Sequence, residues 1–330
     1  MLSTVVWTIA FLGLAGLFVF QAYQRFAILG YMRPADRWEN IPERVNRTLK
    51  YALGQFKFFK SPAHDRKAGI LHALVFWGFL ILGYQVVHMF GRGWFPDFAL
   101  PLAGAAEFGG PVIFLKDTFE MLVAVSALIL VSRWLVTHPQ RLMGFLPAEQ
   151  RQASHPHWEA ILILFFITTI TTSGLLYDAG RMVFLAGVPE IEAEKHWGWV
   201  SHLLSKVLAG FGPGFAEGVS NTAWWTHNLV ILTFINLLPS SKHFHVITSI
   251  PNVFFTKLEP FGRLSKQDLE SENAIYGTSQ MRHFDWKQVL DMYSCTECGR
   301  CSSVCPATAT GTTGRVASAV TRSGRSDSHS

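Results

Sequence analysis

The chain has 330 residues, 15% charged and 49% hydrophobic, where a soluble domain carries about 25% charged residues. That balance excludes a disordered chain, a collagen and a disulfide scaffold. The formal charge of +5 is localised between Arg25 and Lys67, directly behind the first apolar block, which the positive-inside rule explains better than binding of nucleic acid.

Residues 1–24, 68–91, 160–177 and 218–241 contain no Asp, Glu, Lys or Arg. A hydrocarbon core needs about 20 apolar residues per helix, so the expected solvent is a lipid bilayer. The first span, 2–24, has no basic residues before it and no small-residue cleavage site, and reads as a retained helix. Residues 31–67 are basic and interleaved with aromatics. Val45, Leu49, Ala52, Leu53, Phe56 and Phe59 recur there at helical spacing, which suggests an amphipathic helix on the inner membrane surface. The second span is 68–90. The third, 112–136, carries Lys116, Asp117 and Glu120 near its outer end. A fourth span at 157–178 leads into an acidic outer segment with an interfacial helix near 192–208, and the fifth is 219–241. Five spans with the amino terminus outside leave everything from Lys242 onward inside.

All four cysteines lie within eleven residues. Cys295, Cys298, Cys301, Cys305 and Pro306 spell C-x2-C-x2-C-x3-C-P, the bacterial ferredoxin run for a 4Fe–4S cluster. Zinc sites more often use separated C-x2-C pairs. In two-cluster ferredoxins the fourth cysteine serves the other cluster, and this chain has no further cysteine. Either Cys305 closes the cluster, or the second half of the domain is missing. The shift after Pro306 to Thr, Ser, Gly, Ala and Arg favours a truncated or out-of-frame end, with a disordered tail at 307–330.

Four of the thirteen histidines stand in complementary places. His72 and His88 lie near the two ends of the second span, and His227 and His245 at the two ends of the fifth. Antiparallel spans set His72 against His245 and His88 against His227, with separations along the spans of about 24 and about 27 Å. Histidine is a standard axial haem ligand, so two b-type haems, one near each leaflet, would fit. On one continuous helix His227 and His245 share a face, whereas His72 and His88 are about 160° apart. His243 is misaligned with His227 in the same way, which favours His245. Lys116, Asp117 and Glu120, level with His88, are candidates for a site where a membrane quinone takes up protons. Lys116 and Glu120 are also i,i+4 neighbours, and a plain ion pair would account for them.

The segment KHFHVITSIPNVFF resembles the end of the last haem-ligating helix in the cytochrome b (gamma) subunit of respiratory nitrate reductases. GILHALVFWGFLILGYQVVHMF resembles the second helix of that superfamily. The resemblance assigns His245, His227, His72 and His88 as haem b axial ligands. HFDWKQVLDMYSCTECGRCSSVCPA is similar to the entry into the ferredoxin domain of membrane-bound heterodisulfide-reductase-like iron–sulfur oxidoreductases. Members of that family fuse a five-helix dihaem cytochrome to the domain, and continue with a second cysteine run and CCG modules that this sequence lacks. The resemblance implies electron exchange between quinone and a soluble carrier such as electron-transfer flavoprotein, in a bacterial or archaeal cytoplasmic membrane.

The expected fold is all-α: a five-helix transmembrane bundle over 1–250, then a linker and a short, incomplete ferredoxin-like segment over 251–306. The expected function is quinone-linked electron transfer. A membrane anchor for a soluble redox partner, or a defective fragment of a larger oxidoreductase, are the alternatives.

Overall fold

The computed structural model of the chain describes residues 2–60, 63–100, 109–137, 158–259, 270, 280–296, 298, 301 and 306. Among them the regular elements are helices, and the one β-bridge is an isolated pairing of Arg33 with Asp285. Cys305, the 138–157 connection, most of the 260–279 linker and the 307–330 tail lie outside the described residues.

Five long helices form the body: α1 (Leu2–Gly30), α4 (Ala63–Arg92), α5 (Gly109–Ser132), α6 (Trp158–Phe184) and α9 (Pro213–Leu237). The segments Ser3–Gly30, Arg66–Arg92, Gly109–Val136 and Trp158–Phe184 are long and apolar enough to cross a membrane. The fifth expected span is present as α9. At 25 residues it is about 37 Å long, but Glu217, Ser220, Asn221, His227 and Asn228 dilute its apolar character. Four helices, then, have the composition of a crossing among the described residues.

α9 packs along α6, α5 lies against both α4 and α6, and α1 leans on the flank of α9. Small residues permit the α6–α9 approach: a Cβ on Gly180 would come within 2.6 Å of the Ala216 carbonyl oxygen. Ser220 Oγ donates across the same seam to Tyr177 O at 3.0 Å. α1 is peripheral, with only 6% of its most apolar stretch buried. It is fixed at one end by Trp7, fully buried among Phe11, Phe90, Trp94, Trp224 and Trp225. Its outward Ile9, Leu12 and Val19 stay exposed, as side chains facing lipid do.

Several boundaries differ from those read from sequence. α6 runs on through Phe184, so Asp178 and Arg181 are helical residues and not part of a loop. The extension is possible because both charges have partners. Residues 31–67 are not one amphipathic helix. They form α2 (Ile41–Arg47), a π-helical stretch Thr48–Leu53 and the single turn α3 (Phe56–Phe59). Asn40 and Gln55 take left-handed backbone, at φ 49° and 50°, directly before α2 and α3; Val45, Leu49 and Phe59 are exposed while Ala52 is buried. The interfacial helix near 192–208 is two helices, α7 (Pro189–Trp197) and α8 (Trp199–Ala209), broken at Gly198.

α9 begins after Gly212, whose φ of 88° suits glycine, with Pro213 in its first turn. It stops at Leu237, where Leu238–Ser240 tightens into a 3-10 turn around Pro239. His245 opens a separate helix, α10 (His245–Phe254). The argument that His227 and His245 share one helical face therefore fails. The last helix, α11 (Trp286–Tyr293), is started by a capping box of Asp285 and Gln288 and packs on α10 and on the end of α1.

Candidate functional site

His72 and His245 come together at the end of the bundle that faces α11. Their ring centroids are 6.5 Å apart with planes 30° from parallel. His72 stacks on Phe58 at 4.8 Å. Two imidazoles bonded to one metal at about 2.1 Å each place their ring centres roughly 6 Å apart, so the pair matches a shared iron in spacing. His245 Nδ1 is 3.1 Å from Lys242 O, a contact that fixes the ring and would leave Nε2 to a metal, as second contacts do for metal-bound histidines. Burial holds His245 below its usual range and so keeps it neutral, the form in which imidazole binds metal. His243 lies 5.9 Å from His245 but turns to Glu159, 3.3 Å from its Nδ1. Burial and the neighbouring His245 push His243 down to about 4.

His88 and His227 are not brought ring to ring. His88 is buried beside Phe98. His227 is held against α6, its Nδ1 2.9 Å from Ile170 O and 3.3 Å from Ser173 Oγ. Each nonetheless keeps one buried ring nitrogen without a hydrogen-bond partner, Nδ1 of His88 and Nε2 of His227. Other buried polar atoms, Trp7 Nε1 and Asn228 Oδ1 among them, also lack a partner, so the two ring nitrogens would be open to a metal without requiring one. Gly174 makes room here, since a Cβ on it would strike the Glu120 carboxylate and lie 3.6 Å from His227 Cε1.

The three ionisable residues of α5 divide into two roles. Lys116 Nζ donates to Asp178 on α6 and lies 3.3 Å from Glu120 Oε2. All three are buried. Asp117 points the other way and caps the start of α8: Val200 N and Ser201 N donate to its two oxygens at 2.6 and 3.1 Å. Nearby, Arg181 pairs with Glu194 at 3.3 Å, and Arg92 donates to the Tyr177 hydroxyl at 2.8 Å. Outside the long helices, burial raises Glu194, and Arg181 opposes that shift.

Lys116, Asp178 and His88 line a cavity of about 40 Å³ with Tyr84, Gln85 and Arg92. It has room for a water or two, less than a quinone ring needs. A larger groove of about 780 Å³ runs between α6 and α9, lined by Thr168, Thr172, Ser173, Gly218 and Thr222; Ser173 links its floor to His227. The sequence reading missed Asp178, Arg181 and Glu194 because it ended the fourth helix at 178. The signal was there: Asp178 and Arg181 stand one turn apart in phase with the helix before them.

At the far side of His245, Cys295 and Cys301 are exposed, Cys298 is half-buried, and all three are free thiols. Their donor chemistry suits an iron–sulfur cluster, although among the described residues no three His, Cys, Asp or Glu side chains converge as a metal site.

The chain is 30% identical over 299 residues to a Bacillus subtilis (strain 168) protein described as "Probable iron-sulfur-binding oxidoreductase FadF", an alignment covering 89% of this chain and 39% of that protein. It is 26% identical over 285 residues to the "EtfAB:quinone oxidoreductase" of Syntrophomonas wolfei subsp. wolfei, covering 83% of this chain and 36% of the other. A 48-residue stretch, 14% of this chain, is 42% identical to 7% of a "Probable membrane-anchored ferredoxin" from Chromohalobacter salexigens. The chain thus spans about two-fifths of the first two relatives. No protein-family profile matches it, and neither does any solved structure. The relatives at hand are two oxidoreductases and a ferredoxin, and the similarity to the first two runs through most of this chain.

Proposed function

We propose that the chain is the membrane arm of an iron–sulfur oxidoreductase, carrying electrons between an iron–sulfur centre and a membrane quinone through two b-type haems. The approach of His72 and His245 to 6.5 Å carries this reading. These two would hold one haem, His88 and His227 a second, and Cys295, Cys298, Cys301 and Cys305 a 4Fe–4S cluster. When bound, those groups supply reversible one-electron chemistry and little else.

The protein's part is to hold and exclude. His245 and His227 present fixed ring nitrogens, each steadied by a backbone carbonyl. With two histidines holding each one, the haems would pass electrons and not bind oxygen. Quinone reduction consumes protons. Lys116, one ammonium between the Asp178 and Glu120 carboxylates, lines a cavity with room for water only and would serve as a proton relay. The groove between α6 and α9, which none of the three lines, offers the quinone ring a lipid-side seat. The name of the Syntrophomonas relative supports quinone and electron-transfer flavoprotein as partners. On this reading α9 is the fifth crossing, in a cytoplasmic membrane, with the amino terminus outside and the cysteine end inside.

A dithionite-reduced minus oxidised spectrum of the detergent-purified chain, with iron and acid-labile sulfide counts, tests the proposal. Low-spin b-type bands and about four irons per chain beyond haem iron are expected. Absence of haem bands rejects it. The similarity to a membrane-anchored ferredoxin favours one second reading, an anchor that docks a soluble redox partner through the basic 31–67 segment. Haem and cluster present, with no turnover for any donor and quinone, would select that reading.

A further inference from the structure

The first cysteine does not hang from a free linker. The two residues before it are fastened to the helix that begins with His245. Tyr293 packs edge-on against Phe244, the residue preceding His245, with ring centroids 5.5 Å apart. Phe244 is buried and also meets Phe26 of α1 at 5.5 Å. Tyr293 Oη donates to Arg25 O at 3.2 Å. Ser294 Oγ shares its one proton between Leu290 O at 2.9 Å and Thr248 Oγ1 at 3.0 Å, and Thr248, fully buried, lies one turn beyond His245 and donates to Phe244 O at 3.1 Å. Cys295 follows directly, its N–H on Met292 O at 3.2 Å.

The rest of α11 is fixed as firmly. Lys287, buried, bridges Asn252 of α10 and Asp291 of its own helix. Trp286 packs on Phe255 at 5.0 Å, and its Nε1 donates to Ala35 O at 2.9 Å. Three separate places on α10 and its flanks therefore hold α11. From Cys295 through Ser294, across one hydrogen bond to Thr248 and back one helical turn to His245, the span is on the order of 10 Å.

We propose that α11 is a strut that sets the gap between the cysteine run and the His72/His245 pair, with Tyr293, Ser294 and Thr248 as its positioning residues. A reduced cluster held by the cysteine run would then give one electron to a ferric haem held by His72 and His245, with no bond made or broken and no proton required. The inference rests on the cofactor assignment proposed above, but the juxtaposition of Ser294 with Thr248 can be tested without it.

Two experiments on the full chain decide the matter. In the Thr248→Cys/Ser294→Cys variant, peptide mapping after mild oxidation should find a 248–294 disulfide, since side chains at this separation can be bridged with little movement. In the native chain carrying haem and cluster, the electron spin relaxation of the reduced cluster should be several-fold faster when haem is ferric than when it is ferrous. Tyr293→Ala should weaken that enhancement while haem bands and iron content stay unchanged, and Tyr293→Phe, which keeps the ring on Phe244, should retain it. A loaded chain whose cluster relaxes independently of haem, or a cysteine pair that does not join, overturns the strut and leaves the proposed function standing. Absence of haem bands overturns the proposed function instead, and the disulfide result still decides whether the strut exists.

Discussion

Lys116 and Asp117 are adjacent in sequence and face opposite ways. Lys116 is the shared ion-pair partner of two buried carboxylates, Asp178 and Glu120, and removing it leaves both without it in a low-dielectric interior. Breaking one partner from a buried ion pair costs about 3–5 kcal/mol, so Lys116→Met should lower the thermal midpoint in detergent sharply and also slow haem reoxidation by a menaquinone analogue. An unchanged reoxidation rate in a folded Lys116→Met protein removes the quinone role and leaves an ion pair. Asp117 tethers α8 through charged hydrogen bonds, each worth about 1.5–3 kcal/mol. Asp117→Ala should destabilise the fold by that order in thermal melts while reoxidation per folded molecule is unchanged. The sequence marked Lys116, Asp117 and Glu120 as one group because they crowd one turn of an apolar helix. It could not show that Asp117 turns to α8, since α8 arrives from some 80 residues away, nor that Asp178 completes the cluster.

At the scale of elements, apolar runs located the five long helices of the described residues; four of the runs are charge-free, and α5 was legible despite Lys116, Asp117 and Glu120. Helix ends were less legible, because they depend on partners elsewhere in the chain. α6 continues past Asp178 only because Lys116 and Glu194 receive Asp178 and Arg181. α9 stops at Leu237 with the turn around Pro239, and the sequence reading ran through that proline. The short α10 shows the same dependence at its other end. Buried Arg44, from α2, donates to Phe254 O at 3.1 Å and Thr256 O at 2.8 Å, a cation placed on the last carbonyls of a helix where it is most favourable. Arg44→Met should release that end. Amide hydrogen exchange across His245–Phe254 should rise well above native while exchange in α6 and α9 is unchanged. Equal protection in both proteins would show that α10 stands without this cap.

Across the whole molecule the candidate groups fall in sequence along the bundle. Cys295 and α11 sit at one end, His72 with His245 beside them, and His88 with the Lys116–Asp178–Glu120 cluster toward the other. The order of these stations was legible, because histidines, cysteines and intramembrane charges are few and their places along the helices follow from residue counts. Their closeness was only partly legible. His72 and His245 do meet, although the helix argument that linked His245 to His227 was wrong, since His245 reaches its place through a turn and a new helix. His88 and His227 share no such approach, and their assignment rests on the two buried ring nitrogens.

Haem content per chain tests the central claim most directly, measured as the pyridine haemochrome of the purified protein and of three single variants. The account predicts two b-type haems in the native chain, one in His72→Ala and in His245→Ala, and two in His243→Ala, whose ring is turned to Glu159. A native chain without haem, or a loss in His243→Ala equal to that in His245→Ala, would contradict it.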